Sequence, residues 1–527
     1  MSDIIAQLMP VVVAGLLGIS ILYSILSRRR AVKRYLYYSV FDPIFANLGF
    51  LFQFSGLLLV PPIIYAYYLQ EFEGGAAISL SCATFLFLGL LLSLFFEPKM
   101  LDLKQSCILF VLYYLCVPLI VSIQFLYLGV FEGSLFDQLL NSWFEASSAI
   151  STTGFTLLEG GTLPKSLLLS RAITEWNGGI GIIFLLLSSF YPSLALSHYG
   201  KALGIERVAE DYKISFMVVL LVYAIYTMIF SMFLLFLGLD PFTAIHTVLA
   251  VYSTTGLTIV DVRTLHFSAQ SVIAAMMIIS ALSFSLHLKV FFISFSADWK
   301  SLLKGRLRRF ASSIILETNL RPVLTSETKL QIILIISFTA IYWLATNLDP
   351  FSSFLHVLSS SASVGLNIID SDEIGEVGKV ILIIAMLIGA SSFSVGGGIR
   401  VYRLYILGKV LARLPRIFLI GENPRIKVNG RELEISEIIV HLVIIFLFAT
   451  LTFLSSIFVC SFGYSLTDAL FESASAISTT GNMTVEITQN TYSLHKLLLV
   501  ALMLLGRIEI LPVFAILSGA TKLERRD

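Results

Sequence analysis

At 527 residues the chain is 57% hydrophobic and only 13% charged, with a mean hydropathy of +0.90. Soluble domains carry about 25% charged residues, so the composition excludes a soluble globular protein and indicates a polytopic membrane protein. The formal net charge of +1 hides a strong segregation of charge along the chain, and nucleic acid is not an expected partner.

Apolar spans fall near 8–27, 44–69, 77–96, 106–130, 166–195, 214–238, 269–293, 329–347, 376–411 (interrupted), 436–462 and 494–518. Each is long enough to cross a hydrocarbon core of about 30 Å as a helix. Arg28, Arg29, Arg30, Lys33 and Arg34 follow the first span directly, which marks a retained helix with the N-terminus outside and not a cleaved signal. Four stretches ending just before residues 154, 256, 365 and 481 are different. Rich in Ser, Thr and Ala and about ten to twelve residues long, they are too short to span and suit re-entrant segments buried in protein.

If the loop 28–34 is cytoplasmic, alternating spans place loops 97–105, 197–213, 294–329, 399–435 and the tail 519–527 on the same side, together holding 28 of the 35 Lys and Arg residues. The opposite side is acidic, with Glu71, Glu73, Glu132, Glu159, Asp261, Asp370, Asp372, Glu373, Glu376 and Glu486. This asymmetry survives only if each short stretch enters and leaves on the outer side.

Gly154, Gly256, Gly365 and Gly481 are 102, 109 and 116 residues apart. Three of them end the tetrapeptide Ser-Thr-Thr-Gly: Ser151, Thr152, Thr153 and Gly154; Ser253, Thr254, Thr255 and Gly256; and Ser478, Thr479, Thr480 and Gly481. The remaining copy reads Ala362, Ser363, Val364, Gly365. Four copies of a span–hairpin–span unit are the economical reading. Thirteen residues before each glycine stand Asn141, Thr243, Ser352 and Asp468, all favoured N-cap types and here expected to start short pore helices. The negative ends of such helices would point at the glycines and favour a cation. Glycine allows backbone angles that swing carbonyls inward, and four loops around one axis would give carbonyl rings able to replace the hydration shell of K⁺. The hydroxyls of Ser151, Thr152, Ser253, Thr254, Ser478 and Thr479 either line the pore or bond the loop backbone.

The second span of the third unit is interrupted by Gly389-Ala390-Ser391-Ser392-Phe393-Ser394-Val395-Gly396-Gly397-Gly398. Each glycine costs a helix about 1 kcal/mol relative to Ala, and unwound backbone at membrane depth must line protein or a water cavity. Its position after Gly365 places it beneath the proposed filter, as a gate. Arg507 lies inside the last span, where a charge is costly unless it faces a pore or a partner, and is expected to be a cation barrier near the glycine loop. Glu509 points elsewhere and is not its expected partner. His246 and His356 fall in the short helices and His287 late in a span, all read as helix packing or capping residues; Asp240 and Asp349 read as turn residues before proline. Cys82, Cys107, Cys116 and Cys460 show no metal or redox spacing.

Trp143-Phe144-Glu145 leads to Ser-Thr-Thr-Gly-Phe155, and Glu175-Trp176-Asn177-Gly178-Gly179-Ile180-Gly181-Ile182-Ile183 follows. Further on stand Ser283-Phe284-Ser285-Leu286-His287, Val395-Gly396-Gly397-Gly398-Ile399-Arg400-Val401 and Met503-Leu504-Leu505-Gly506-Arg507-Ile508-Glu509. Across about residues 40–520 the chain resembles the Trk/Ktr/HKT superfamily of K⁺ transporters, and its TrkH branch in particular. The resemblance implies a homodimer with one pore per subunit, one filter glycine per repeat, a gating loop in the third repeat and the arginine below it. It also implies a TrkA-like cytosolic partner that binds nucleotide, since no G-x-G-x-x-G follows a strand here; no covalent cofactor is expected. Two features depart from the branch: the extra helix 8–27, and Ser391 and Ser392 where relatives often carry Cys and small residues.

The reading is therefore an all-α polytopic protein of the cytoplasmic membrane, with extra helices in 1–100 and pore repeats in 101–198, 199–296, 297–415 and 416–527. Its expected work is K⁺ uptake. The alternatives are the ion-translocating subunit of an ATP-driven K⁺ pump and, from another class, a membrane-embedded enzyme, for which no cluster of intramembrane acids, histidines or nucleophile–base pairs is visible.

Overall fold

The computed structural model describes residues 9–19, 41–96, 101–158 (save 102), 163–189, 212–290 (save 285, 288 and 289), 325–421 (save 367 and 369–373), 426–510 (save 429 and 430) and 512–513. The rest of the first span, the basic loop 28–34, most of the basic segments 197–213 and 294–329, the tail 519–527, and Glu159, Asp370, Asp372 and Glu373 lie outside the described residues.

Helix α1 (Met9–Ile19) precedes α2 (Asp42–Leu58) and α3 (Val60–Tyr68), which form one span jointed at Leu59, where Pro61 and Pro62 bring no N–H donors. Then comes α4 (Phe72–Phe95), and α2–α4 pack beside the first repeat. The first repeat is α5 (Leu103–Tyr127), α6 (Leu135–Ile150) and α7 (Lys165–Ser189), and the second is α8 (Tyr212–Phe236), α9 (Pro241–Tyr252) and α10 (Phe267–Ala281). The third is α11 (Ser326–Thr346), α12 (Pro350–Ser361), α13 (Gly375–Ile388) and, after a break, α14 (Val401–Ile420). A two-stranded hairpin, β1 (Lys427–Val428) with β2 (Arg431–Glu432), leads to the fourth: α15 (Ile435–Cys460), α16 (Leu466–Ile477) and α17 (Ser493–Ile508). Among the described residues six spans are long and apolar enough to cross a bilayer, and the chain is a multi-pass membrane protein.

The repeats form a closed ring. The helix after each pore helix packs on the pore helix of the next repeat: α7 on α9, α10 on α12, α13 on α16, and α17 back on α6. Two lysines mark these seams near the starts of α13 and α17. Lys379 of α13 reaches Asp468 of α16 at 2.7 Å, and Lys496 of α17 reaches Asn141 of α6 at 2.5 Å.

The helix starts correct the sequence reading. The caps are Ser134, Asp240, Asp349 and Ser465, whose side chains accept from the N–H groups of Asp137, Thr243, Ser352 and Asp468. Thr243, Ser352 and Asp468 thus stand three residues inside their helices as donors to the cap, and Asn141 lies buried in mid-helix. Asp240 and Asp349 are caps and not plain turn residues. The proline after each needs no N–H partner at the first helical position and fixes a helical φ. Helix α10 ends at Ala281 within the span begun at 269, and helix α17 ends at Ile508 within the span begun at 494, with further helical residues at 284, 286, 287, 290, 512 and 513.

Asp349→Ala should lower the stability of the purified protein by about 1 kcal/mol, read as a lower Tm in detergent, and Ser352→Ala by less, because the cap retains its main-chain donor. Hydrogen bonds from Ser352 hold the Asp349 carboxyl below the ordinary carboxylate range. The contribution of the cap should therefore be complete above the usual Asp range and fade as pH falls through that lowered value.

Candidate functional site

Each pore helix ends in the same backbone sequence. The first loop residue is right-handed (Ser151 φ −75°, Ser253 −74°, Ala362 −81°, Ser478 −82°), and the second is left-handed (Thr152 +52°, Thr254 +62°, Ser363 +56°, Thr479 +51°). The fourth, glycine, is again at positive φ: +97°, +74°, +78° and +85°. A β-branched residue at positive φ is strained by about 1–3 kcal/mol, so three threonines held there need a surrounding structure that enforces it. The third residue of each loop supplies part of that, donating its N–H back to its own pore helix: Thr153 to Ser148, Thr255 to Ala250, Val364 to Ser359 and Thr480 to Ser475, at 2.9–3.0 Å. The carbonyl side of each loop is left facing the ring.

The four loops meet through their glycines. A Cβ on Gly154 would collide with the Thr255 carbonyl oxygen, on Gly256 with that of Val364, on Gly365 with that of Thr480, and on Gly481 with that of Thr153. Each glycine thus seats the carbonyl of the next repeat, in cyclic order, and the ring closes on itself.

The loop hydroxyls divide into two classes. Ser151 pairs with Thr153 at 2.7 Å, Ser253 with Thr255 at 2.9 Å and Ser478 with Thr480 at 2.7 Å, so the first and third hydroxyls brace the loop. In the third repeat both partners are apolar, Ala362 and Val364, and the brace is absent as a pair. The second hydroxyls, on Thr152, Thr254, Ser363 and Thr479, are all fully buried and have no protein partner. Four equivalent orphaned oxygens in one ring are what a dehydrated cation or ordered water would satisfy.

Beneath this ring lies the break between α13 and α14. A Cβ on Gly396 would meet the Ala362 carbonyl, and one on Gly397 the Ser478 carbonyl and the Thr479 hydroxyl. The break is folded on itself, with Ala390 N–H donating to the Gly397 carbonyl at 3.2 Å, Ile399 to Leu387 at 2.8 Å and Ser394 Oγ to the Ser391 carbonyl at 2.6 Å. It pairs with a second break that the sequence reading missed. Helix α10 ends at Ala281, Ser391 N–H donates to the Ala281 carbonyl at 3.1 Å, and Phe284 N–H donates to the Phe393 carbonyl at 2.7 Å.

Arg507 is 2% exposed and donates to the Val395 carbonyl of the break at 2.6 Å and to the Gly178 carbonyl of α7 at 3.0 Å. Its guanidinium therefore holds backbone of the first and third repeats. Glu509 turns away from it and accepts from Arg400 at 3.2 Å and Arg403 at 2.6 Å. Arg400 also donates to the carbonyls of Ser391 and Gly396 and to Ser394 Oγ. Sequence reading had counted Arg400 and Arg403 among the cytoplasmic basic residues, whereas both are buried. An acid two residues from an intramembrane arginine was the available signal that a second cation is close by.

Behind the first loop, Glu145 of α6 accepts from Arg171 of α7 at 3.0 Å and from the Leu157 N–H at 3.0 Å, tying the chain that leaves the loop to the pore helix. Glu472 of α16 stands nine residues before its glycine, as Glu145 does, and meets His495 at 3.1 Å. His356, at the same position in the third repeat, bonds Tyr342 at 2.9 Å.

Residues 126–524 match the TrkH family, described as cation transport proteins. An uncharacterised cation transporter of Methanocaldococcus jannaschii is 25% identical over 486 residues, spanning 89% of this chain and 94% of that protein. The Trk system potassium uptake protein TrkH of Escherichia coli K12 is 24% identical over 499 residues, spanning 88% and 95%. The crystal structure of the potassium transporter TrkH from Vibrio parahaemolyticus shares the fold, with a TM-score of 0.74 at 20% identity, covering 91% of this chain and 99% of that one.

The brace of the second repeat offers a test of the loop geometry. Ser253→Ala alone strands the buried Thr255 hydroxyl and should cost about 1–3 kcal/mol. Ser253→Ala with Thr255→Val reproduces the Ala362 and Val364 pair and should cost less than the single change, measured as Tm of the purified protein.

Proposed function

The chain belongs to the TrkH family of cation transport proteins, which are transporters and not enzymes, and from that premise we propose that it takes up K⁺ across the cytoplasmic membrane as the ion-conducting subunit. The observation that carries this reading is the cyclic seating of each repeat's carbonyl against the next repeat's glycine, with four orphaned hydroxyls in the same ring. Carbonyls of the loops 151–154, 253–256, 362–365 and 478–481 replace the hydration shell of K⁺. The negative ends of α6, α9, α12 and α16 aim at the same point and favour its charge.

The break 389–398 is the gate. Its close approach to the Ala362 and Ser478 carbonyls at the ends of two pore helices supports this reading. Arg507 acts there in two ways, as a fixed positive charge and as the clasp on Val395. The working assembly is a homodimer with one pore in each subunit, regulated by a TrkA-like cytosolic subunit that carries the nucleotide site. K⁺ or Rb⁺ flux into liposomes holding the purified protein, with and without a Na⁺ or H⁺ gradient, tests the reading. Absence of K⁺ flux under every gradient would overturn it.

Gly154→Ser or Gly481→Ser should lower the K⁺/Na⁺ permeability ratio, because the new Cβ displaces the carbonyl of a neighbouring repeat. An unchanged ratio in folded variants at all four glycines would remove the filter assignment. Deleting 389–398 should raise basal flux and blunt regulation.

Arg507→Ala should raise K⁺ flux by about three- to tenfold. At about 6 Å and an effective dielectric near 20 a fixed charge opposes a passing cation by roughly 3 kcal/mol before screening. Arg507→Lys should raise flux less than Ala, because it keeps the charge while one ammonium cannot reproduce a fork that reaches two carbonyls on separate nitrogens.

A further inference from the structure

Helix α11 adds little to the protein interior. Among its residues only Thr328, Gln331 and Tyr342 are buried, while Ile332, Ile333, Ile336, Ile341 and Leu344 are exposed, as suits a helix facing lipid. Its cytoplasmic start is the exception. Glu327 and Gln331, one helical turn apart on the same face, both reach the break in the third repeat. Glu327 Oε1 accepts from the Ser392 N–H at 2.5 Å, and Gln331 Oε1 accepts from Ser391 Oγ at 2.5 Å. Gln331 Nε2 also donates to the Ala281 carbonyl at 3.4 Å, the carbonyl that Ser391 N–H shares. Three elements, the start of α11, the end of α10 and the gate loop, therefore meet at one polar node. Thr325 caps the helix there through the Thr328 N–H, so the two side chains project from regular, capped backbone.

We propose that Glu327 and Gln331 are positioning residues that latch the gate loop closed, so that displacement of the cytoplasmic end of α11 releases it. The inference rests on the loop being the gate. The Ser391–Gln331 bond is buried and the Ser392–Glu327 bond is part-buried, so removing either acceptor leaves a donor of the loop poorly solvated and unpaired in the closed state alone.

The test is K⁺ flux in proteoliposomes. Glu327→Ala and Gln331→Leu should each raise basal flux several-fold. Glu327→Gln keeps an acceptor oxygen and should stay close to the native protein. Ser391→Ala removes the loop side of the second bond, and combined with Gln331→Leu it should add nothing to either change alone. In protein lacking 389–398, Glu327→Ala and Gln331→Leu should have no further effect. Native flux in Glu327→Ala and Gln331→Leu, a Glu327→Gln variant as leaky as Glu327→Ala, or gains that persist without the loop would each overturn the latch. If deletion of the loop itself leaves flux unchanged, the gate reading falls. If deletion raises flux while the two α11 variants stay silent, the latch alone is wrong.

Discussion

Everything at the centre of this molecule depends on one steric condition: a carbonyl oxygen of each repeat occupies the space a side chain would need on the next repeat's glycine. The condition is reciprocal around the ring, so no repeat can satisfy it alone. It reaches outward in two steps. The loops can approach only if their pore helices point correctly, and that is set by the caps at Ser134, Asp240, Asp349 and Ser465. The pore helices are in turn held by the second helix of the preceding repeat, with Lys379 and Lys496 fastening two of the four seams. A change at one seam is therefore felt by a loop in another repeat, and effects at the four glycines should not add independently.

Below the ring the organising problem is buried charge. Arg400, Arg403 and Arg507 are nearly inaccessible, and Glu509 answers two of them. The third donates from two of its nitrogens to carbonyl oxygens, one on the unwound backbone at Val395 and one within α7 at Gly178. The break between α13 and α14 and the buried arginines thus explain each other: the break frees carbonyls and the guanidinium groups take them up. Positive φ at Phe393 (+60°), Arg400 (+82°) and Glu509 (+56°) shows backbone strain concentrated at this same place.

The glycine spacing and the short pore helices were legible in the sequence because they recur, and recurrence separates these ring-forming glycines from an ordinary helix terminator. The caps were misread for a local reason. Thr243, Ser352 and Asp468 are good capping types three residues inside helices whose true caps are Asp240, Asp349 and Ser465, and residue type alone does not resolve that offset. The end of α10 could not be read because Leu282 and Ser283 include neither Gly nor Pro; the helix stops there to pair with a loop more than a hundred residues away. Glu327 and Gln331 were invisible for a similar reason. A polar pair at the start of a membrane helix is ordinary until its partners are known.

The hydrogen bonding of residues 389–398 also bears on heat. The loop is held at once from α10, α11 and α17 and from residues flanking α10 and α14, by Ala281, Phe284, Glu327, Gln331, Arg400 and Arg507. Bonds made in a low-dielectric interior are enthalpically strong, and moving the loop as one body means breaking several before any replacement forms. Departure of the loop then carries a large activation enthalpy and is close to all-or-none. With the loop as the proposed gate, conduction should rise more steeply with temperature than diffusion along an open pore.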